Sequence, residues 1–213
     1  MQNKAPEEIY LSLDEETNAM DYLVLAADFV KKTPKNVTAW KWVAISLHGA
    51  LYGFAVAASR GTDYENILTK KGYLLGFWKV LNRCQDPNHM KMLINSKHLE
   101  LTDSQSDSIK KLVKRLRNKF QHFKPGLWSI EIHGMPQISI DVLEVIRFLA
   151  RETNTYIHLT EKEERLVDKH VKESINFIKG TELYLEYKRG RELYQKEKYL
   201  KSAAGRKFLD NII

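Results

Sequence analysis

Within KKLVKRLRNKFQHFKPG, from Lys110 to Gly126, an arginine stands directly before an asparagine and a histidine follows: Arg117, Asn118 and His122. Arginine grips phosphate oxygens through two parallel N–H bonds and keeps its charge at any physiological pH. Histidine exchanges its proton near neutral pH, so it serves as a general acid or base. Seven Lys or Arg and no acid lie between Lys110 and Lys124. Lys114, Lys119 and Lys124 are suited to contact further phosphates without reading bases. These residue types fit the cutting of a phosphodiester chain. A solvated basic helix face ending in a histidine carries the same residues, because the helix dipole favours cations there.

A helix must position them. Ile109, Leu112, Val113, Leu116 and Phe120 recur at spacings of three and four, which makes one apolar stripe. Thr102, Asp103 and Ser104 supply capping groups before it, and Lys124-Pro125-Gly126 ends it. At about 100° per residue, Asn118 points about 180° from the stripe and Arg117 lies at its edge. His122 then sits about 140° from Arg117, too far to share one phosphate. Either the helix unwinds near Phe123 or the site combines groups from two chains.

The remaining chain reads as further helices. Thr17 to Lys32 forms one, closed before Pro34. The next is capped by Asn36 and ends at Arg60-Gly61. Its segment Trp42–Ser59 carries no Asp, Glu, Lys or Arg, and its length touches the lower limit for a membrane span, roughly 17 residues. With Ser46 and His48 inside it and no second such segment, it reads as a buried central helix or an oligomer interface rich in small residues. Tyr64 to Cys84 is a weaker helix broken near Gly72, and QDPNHM reads as a turn. LWSIEIHGMPQISI alternates about Gly134 and Pro136, as a small hairpin or extended excursion does. Asp141 then caps VLEVIRFLARET. Thr160 and Glu163 form a capping box, and a last helix follows Gly180. The expected architecture is an all-α bundle over residues 15–155 with a basic helical extension over 156–213.

The Arg-Asn…His spacing in RNKFQH resembles the RNA-cutting motif of the HEPN family, the higher eukaryotes and prokaryotes nucleotide-binding domains. In that family a polar residue follows the Arg, and a His comes after four to six intervening positions. Other pairs here share the spacing, among them Arg165 with His170, Arg83 with His89, and Arg115 with His122. Only Arg117 is followed by Asn on a basic helix that ends just past the His. The resemblance implies a helical bundle, a symmetric homodimer with paired motifs, and metal-independent RNA cleavage. In that chemistry the ribose 2′-OH attacks the adjacent phosphorus and the 5′-oxygen leaves. His122 moves protons, Arg117 steadies the phosphate charge and Asn118 positions its neighbours. Toxins and antiviral effectors of bacteria belong to the family, so an antitoxin or regulatory protein is an expected partner beside RNA. A HEPN-like scaffold that binds nucleotide or RNA without cutting is the main alternative, and a helical nucleic-acid-binding regulator the third.

Bulk properties agree with these classes. The net charge of +7 permits phosphate binding, and 43% hydrophobic residues suffice for a globular core. One cysteine excludes an internal disulfide, and His89 and His98 show no metal-ligand partners in the sequence, so neither metal nor cofactor is expected. The start, MQNKAPEEIYLSLDEE, lacks the basic and apolar regions of a secretory signal. A cytoplasmic protein without membrane contact is expected. His48 reads as a core histidine, and His133 has no required role. Tyr184, Tyr187 and Tyr194 read as helical core more readily than as base-stacking groups.

Overall fold

The computed structural model describes residues 8–93, 96–123, 125–153 and 159–200. It is all-α, with no strand among the described residues. Helix α1, Glu15–Lys32, opens on Asp14, whose carboxylate accepts the Thr17 N–H at 2.7 Å. Helix α2, Ala39–Arg60, runs through the centre and packs against α1. It is long and apolar enough to cross a membrane, but 67% of the qualifying window is buried inside the fold, as a core helix requires. Its small residues serve this chain. A Cβ at Gly49 would lie 2.6 Å from the Tyr22 ring, and one at Gly53 would lie 2.7 Å from the Ala19 Cβ. The missing side chains let α1 and α2 approach, so these two glycines are used inside the fold.

After Gly61 at φ 64°, a 3₁₀ turn at Tyr64–Ile67 leads into a reversal where Leu68 bridges Leu74. Gly72, at φ 79°, permits that reversal, and the expected helix from Tyr64 to Cys84 is helical only at Tyr64–Ile67 and from Phe77 on. Helix α3, Phe77–Gln85, follows. The expected turn QDPNHM holds a short helix instead: α4, Pro87–Lys91. Asp86 accepts the Asn88 N–H at 2.9 Å, and Pro87 tolerates the first helical turn, where no N–H is needed.

An unbroken helical run then carries the motif. It comprises α5, Asp103–Lys110, a π-helical segment, Lys111–Arg117, and α6, Asn118–Gln121. The expected Thr102 cap is present as a capping box with Gln105. Ile109, Leu112, Val113 and Leu116 are buried and Phe120 packs against the core.

Of the two forms expected for 127–140, the hairpin is absent and the extended excursion holds for residues 127–132. The alternation is real, since Ile130 and Ile132 pack on the core while Ser129 and Glu131 stay exposed. No partner strand exists, because Pro136 sits in the first turn of α7, Met135–Arg151. Asp141 is therefore not a cap. It is buried in mid-helix and accepts bonds from Ser104 at 2.8 Å, Ser108 at 2.6 Å and Gln137 at 2.7 Å, tying α5 to α7.

Helix α8, Glu161–Lys179, starts at the expected Thr160–Glu163 box. It buries Val167, Val171 and Ile178 against α1 and α7, so the core continues past residue 155. Helix α9, Glu182–Leu200, touches α7 and α8 only near its start and is exposed beyond.

Candidate functional site

The π segment decides where the motif points. A π turn closes its hydrogen bonds at i→i+5, so each residue turns less than in an α-helix. Angles counted on an ideal α-helix therefore drift downstream. Asn118 is half-buried and does not face directly away from the core. Arg117 is also half-buried, and its Nη1 donates to Asn118 Oδ1 at 2.9 Å. Arg117 Nε is buried and has no hydrogen-bond partner among the described residues. The guanidinium charge reaches His48 on α2. Burial first, and then Arg117, pull the His48 imidazole down to about 4. His48 packs its ring against Phe77 at 5.1 Å and Tyr52 at 6.3 Å, so it is a core histidine as expected.

The helical run ends at Gln121, and His122 leaves it with φ −127° and ψ 52°. His122 then lines a cleft of about 1160 Å³. The run from α5 to α6 forms one wall, residues 129–138 form another, and Tyr187 and Arg191 of α9 close a third side. Asn118, Lys114 and Lys119 share the cleft with His122, but Arg117 does not line it. Lys124 lies outside the described residues. Of the two arginines with an allowed spacing to His122, it is Arg115 that enters the cleft.

Local contacts bring a second histidine there. Lys119 Nζ donates to the Ser129 carbonyl at 3.0 Å and lies 5.6 Å from the Trp128 ring centre. Trp128 also packs on Phe120 at 6.1 Å and Phe123 at 6.4 Å. These contacts fold residues 127–132 back along α6 and carry His133 into the cleft of His122. The His133 backbone N–H donates to the Glu131 carboxylate, and its ring lies 5.7 Å from Tyr187. The expectation that all three α9 tyrosines serve the core holds for Tyr184 alone, since Tyr187 lines the cleft and Tyr194 is 68% exposed. No spacing rule links His122 to His133, Tyr187 or Arg191, because tertiary packing joins them.

Cations outnumber carboxylates along this wall, although Asp103 and Asp107 on it and Glu131 opposite also line the cleft. Lys111, Lys114, Arg115, Arg117 and Lys119 have no carboxylate partner among the described residues, while Lys110 pairs with Asp107 at 3.8 Å. The Arg83–His89 and Arg165–His170 pairs each have a member engaged elsewhere. His89 Nε2 meets the Ser59 carbonyl at 3.0 Å, and Arg165 pairs with Glu161 at 2.8 Å. His170 has its imidazole lowered, chiefly by burial. No three His, Cys, Asp or Glu side chains come together among the described residues. No protein-family model matches the chain, and no curated protein or solved structure matches it.

Proposed function

We propose that this chain is a metal-independent endoribonuclease of HEPN-like type and that the cleft of His122 holds the RNA. The observation that carries the reading is the position of His122, at a helix end in a cleft shared with Lys111, Lys114, Arg115 and Lys119, none of which forms an ion pair among the described residues. RNA backbone supplies the missing anions, and an imidazole beside the phosphate moves the protons of 2′-OH attack. Products are a 2′,3′-cyclic phosphate and a 5′-hydroxyl.

Arg115 and Lys114 hold the phosphate from the same wall, and Arg117 acts through its bond to Asn118. This differs from the simple motif assignment, in which Arg117 is the phosphate clasp. A homodimer accompanies the reading. Phe123, Leu127 and Trp128, beside His122, are 60%, 105% and 37% exposed and give an apolar rim for a second copy.

Two variants test the assignment. Arg115→Ala is expected to weaken RNA binding and cleavage without changing the melting temperature. Arg117→Ala is expected to lower both stability and cleavage. If Arg115→Ala cuts normally while Arg117→Ala binds RNA and melts normally but does not cut, Arg117 is the clasp, reached from a second copy. A non-cutting RNA-binding scaffold is the second reading, favoured by the absence of Arg117 from the cleft. It predicts tight RNA binding and no cyclic phosphate ends.

A further inference from the structure

We propose that His133 is the second proton-transfer group of the cleft and works with His122 as an acid–base pair. The inference rests on the ribonuclease reading above. Cleavage by 2′-OH attack moves two protons at two places. One leaves the 2′-OH as O2′ bonds to phosphorus. The other must reach O5′ as the P–O5′ bond breaks, since an alkoxide is a poor leaving group. One neutral imidazole and one imidazolium on opposite sides of the phosphate perform both transfers, and they end with their protonation states exchanged. Water attack on the cyclic phosphate, or solvent exchange, resets them.

Three observations place His133 in this role. It lines the same cleft as His122, although the two are eleven positions apart in the chain. The Lys119–Ser129 bond and the packing of Trp128 on Phe120 and Phe123 hold the intervening segment against α6. At the turn itself, the His133 N–H is fixed by Glu131, and the ring is held at 5.7 Å from Tyr187 on α9. His133 is thus positioned from both sides, yet it is an exposed side chain with no core to serve. The remaining described histidines lie elsewhere: His48 in the core, His89 on the Ser59 carbonyl, His98 beside Glu100 and His170 on α8.

The test compares wild type, His122→Ala, His133→Ala and His133→Gln on two substrates. One is an RNA dinucleotide, whose leaving oxygen needs a proton. The other is a uridine 3′-(4-nitrophenyl phosphate), whose nitrophenolate leaves without one. On the dinucleotide, both His133 variants are expected to lose about 10²–10⁴-fold in kcat. KM should change only a few-fold, and one limb of the bell-shaped pH profile should disappear. On the nitrophenyl ester, one of His122→Ala and His133→Ala should recover to near wild-type rate while the other stays slow, because only the general acid becomes dispensable. His133→Gln keeps a hydrogen-bonding side chain, so an equal loss in both His133 variants with unchanged melting excludes a folding cause. A His133→Ala enzyme within a few-fold of wild type, or one that keeps both pH limbs, overturns the pair and leaves the ribonuclease reading standing. A wild type that cuts neither substrate overturns both.

Discussion

The Arg117 guanidinium donates to the side-chain oxygen of its neighbour Asn118 at 2.9 Å, and the two residues look toward different parts of the protein. Asn118 lines the cleft, while the charge of Arg117 acts on His48 in the core. Asn118→Ala removes the one side-chain hydrogen bond that Arg117 makes among the described residues. A hydrogen bond to a charged group contributes about 1.5–3 kcal/mol. Arg117 is half-buried, so water replaces part of the bond, and a loss near the lower end is expected in thermal or urea melts. Asn118→Asp keeps an acceptor for Arg117 and puts a carboxylate in the cleft. It should preserve stability and weaken RNA binding. Equal stability of both variants would remove the bond from the account.

Acid should destabilise the fold through His48. The unfolded imidazole takes up a proton below about 6.5, whereas the folded one does so only near 4. The folded pKa is depressed, so stability is fully present above pH 6.5 and is lost as pH falls toward 4. The full loss from this group is on the order of 3 kcal/mol. His48→Phe, placed among Tyr52 and Phe77, should flatten the stability profile across that window. An unchanged slope would show that His48 is solvated.

Salt dependence separates two lysines. Lys114→Ala should reduce the log–log salt slope of RNA binding by about 0.7, the value for one single-strand phosphate contact, with little change in melting. Lys119→Ala should lower the slope and the melting temperature together, because Lys119 also holds Ser129 and covers Trp128. Titrations at several salt concentrations, run beside melts, check both.

The close approach of α1 and α2 predicts that added methyl groups will destabilise. Gly→Ala inside a helix gains about 0.8–1 kcal/mol from propensity. Overpacking a core costs about 1–3 kcal/mol. The Cβ of Gly53→Ala would meet the Ala19 Cβ at 2.7 Å, and Ala19 cannot move aside without its backbone. Gly53→Ala should therefore be a net loss and exceed Gly49→Ala, where the Tyr22 ring can tilt. A stabilised Gly53→Ala would mean that the helices lie farther apart.

Much of this fold is legible in short-range signals. The Thr102 and Thr160 capping boxes, the stripe from Ile109 to Phe120, and the break at Gly72 each follow from a few neighbouring residues. The misreadings have physical causes. Ile130 and Ile132 alternate because an extended segment lies on a core, which looks the same as a strand without its partner. Asp141 resembles a cap but has serine partners one helix away, and no local pattern shows them. The site was half legible. Arg117, Asn118 and His122 suggest phosphate chemistry by type, but Arg115 lines the cleft and Arg117, at the end of the π segment, does not. His133 arrives only through the folding back of residues 127–132.

The central claim is that this cleft cuts RNA through His122. A DNA oligonucleotide carrying one internal ribonucleotide tests it most directly, because only that sugar has the attacking 2′-OH. Wild type and His122→Ala are incubated with it in EDTA, and the products are sized and their ends identified. The account predicts one cut by wild type, directly 3′ of the ribonucleotide, with a 2′,3′-cyclic phosphate end. It predicts no cut in the all-DNA control, and a loss of about 10²–10⁴-fold in His122→Ala with unchanged melting. Cleavage of the all-DNA control, cleavage that needs added magnesium, or a His122→Ala protein as active as wild type would contradict it.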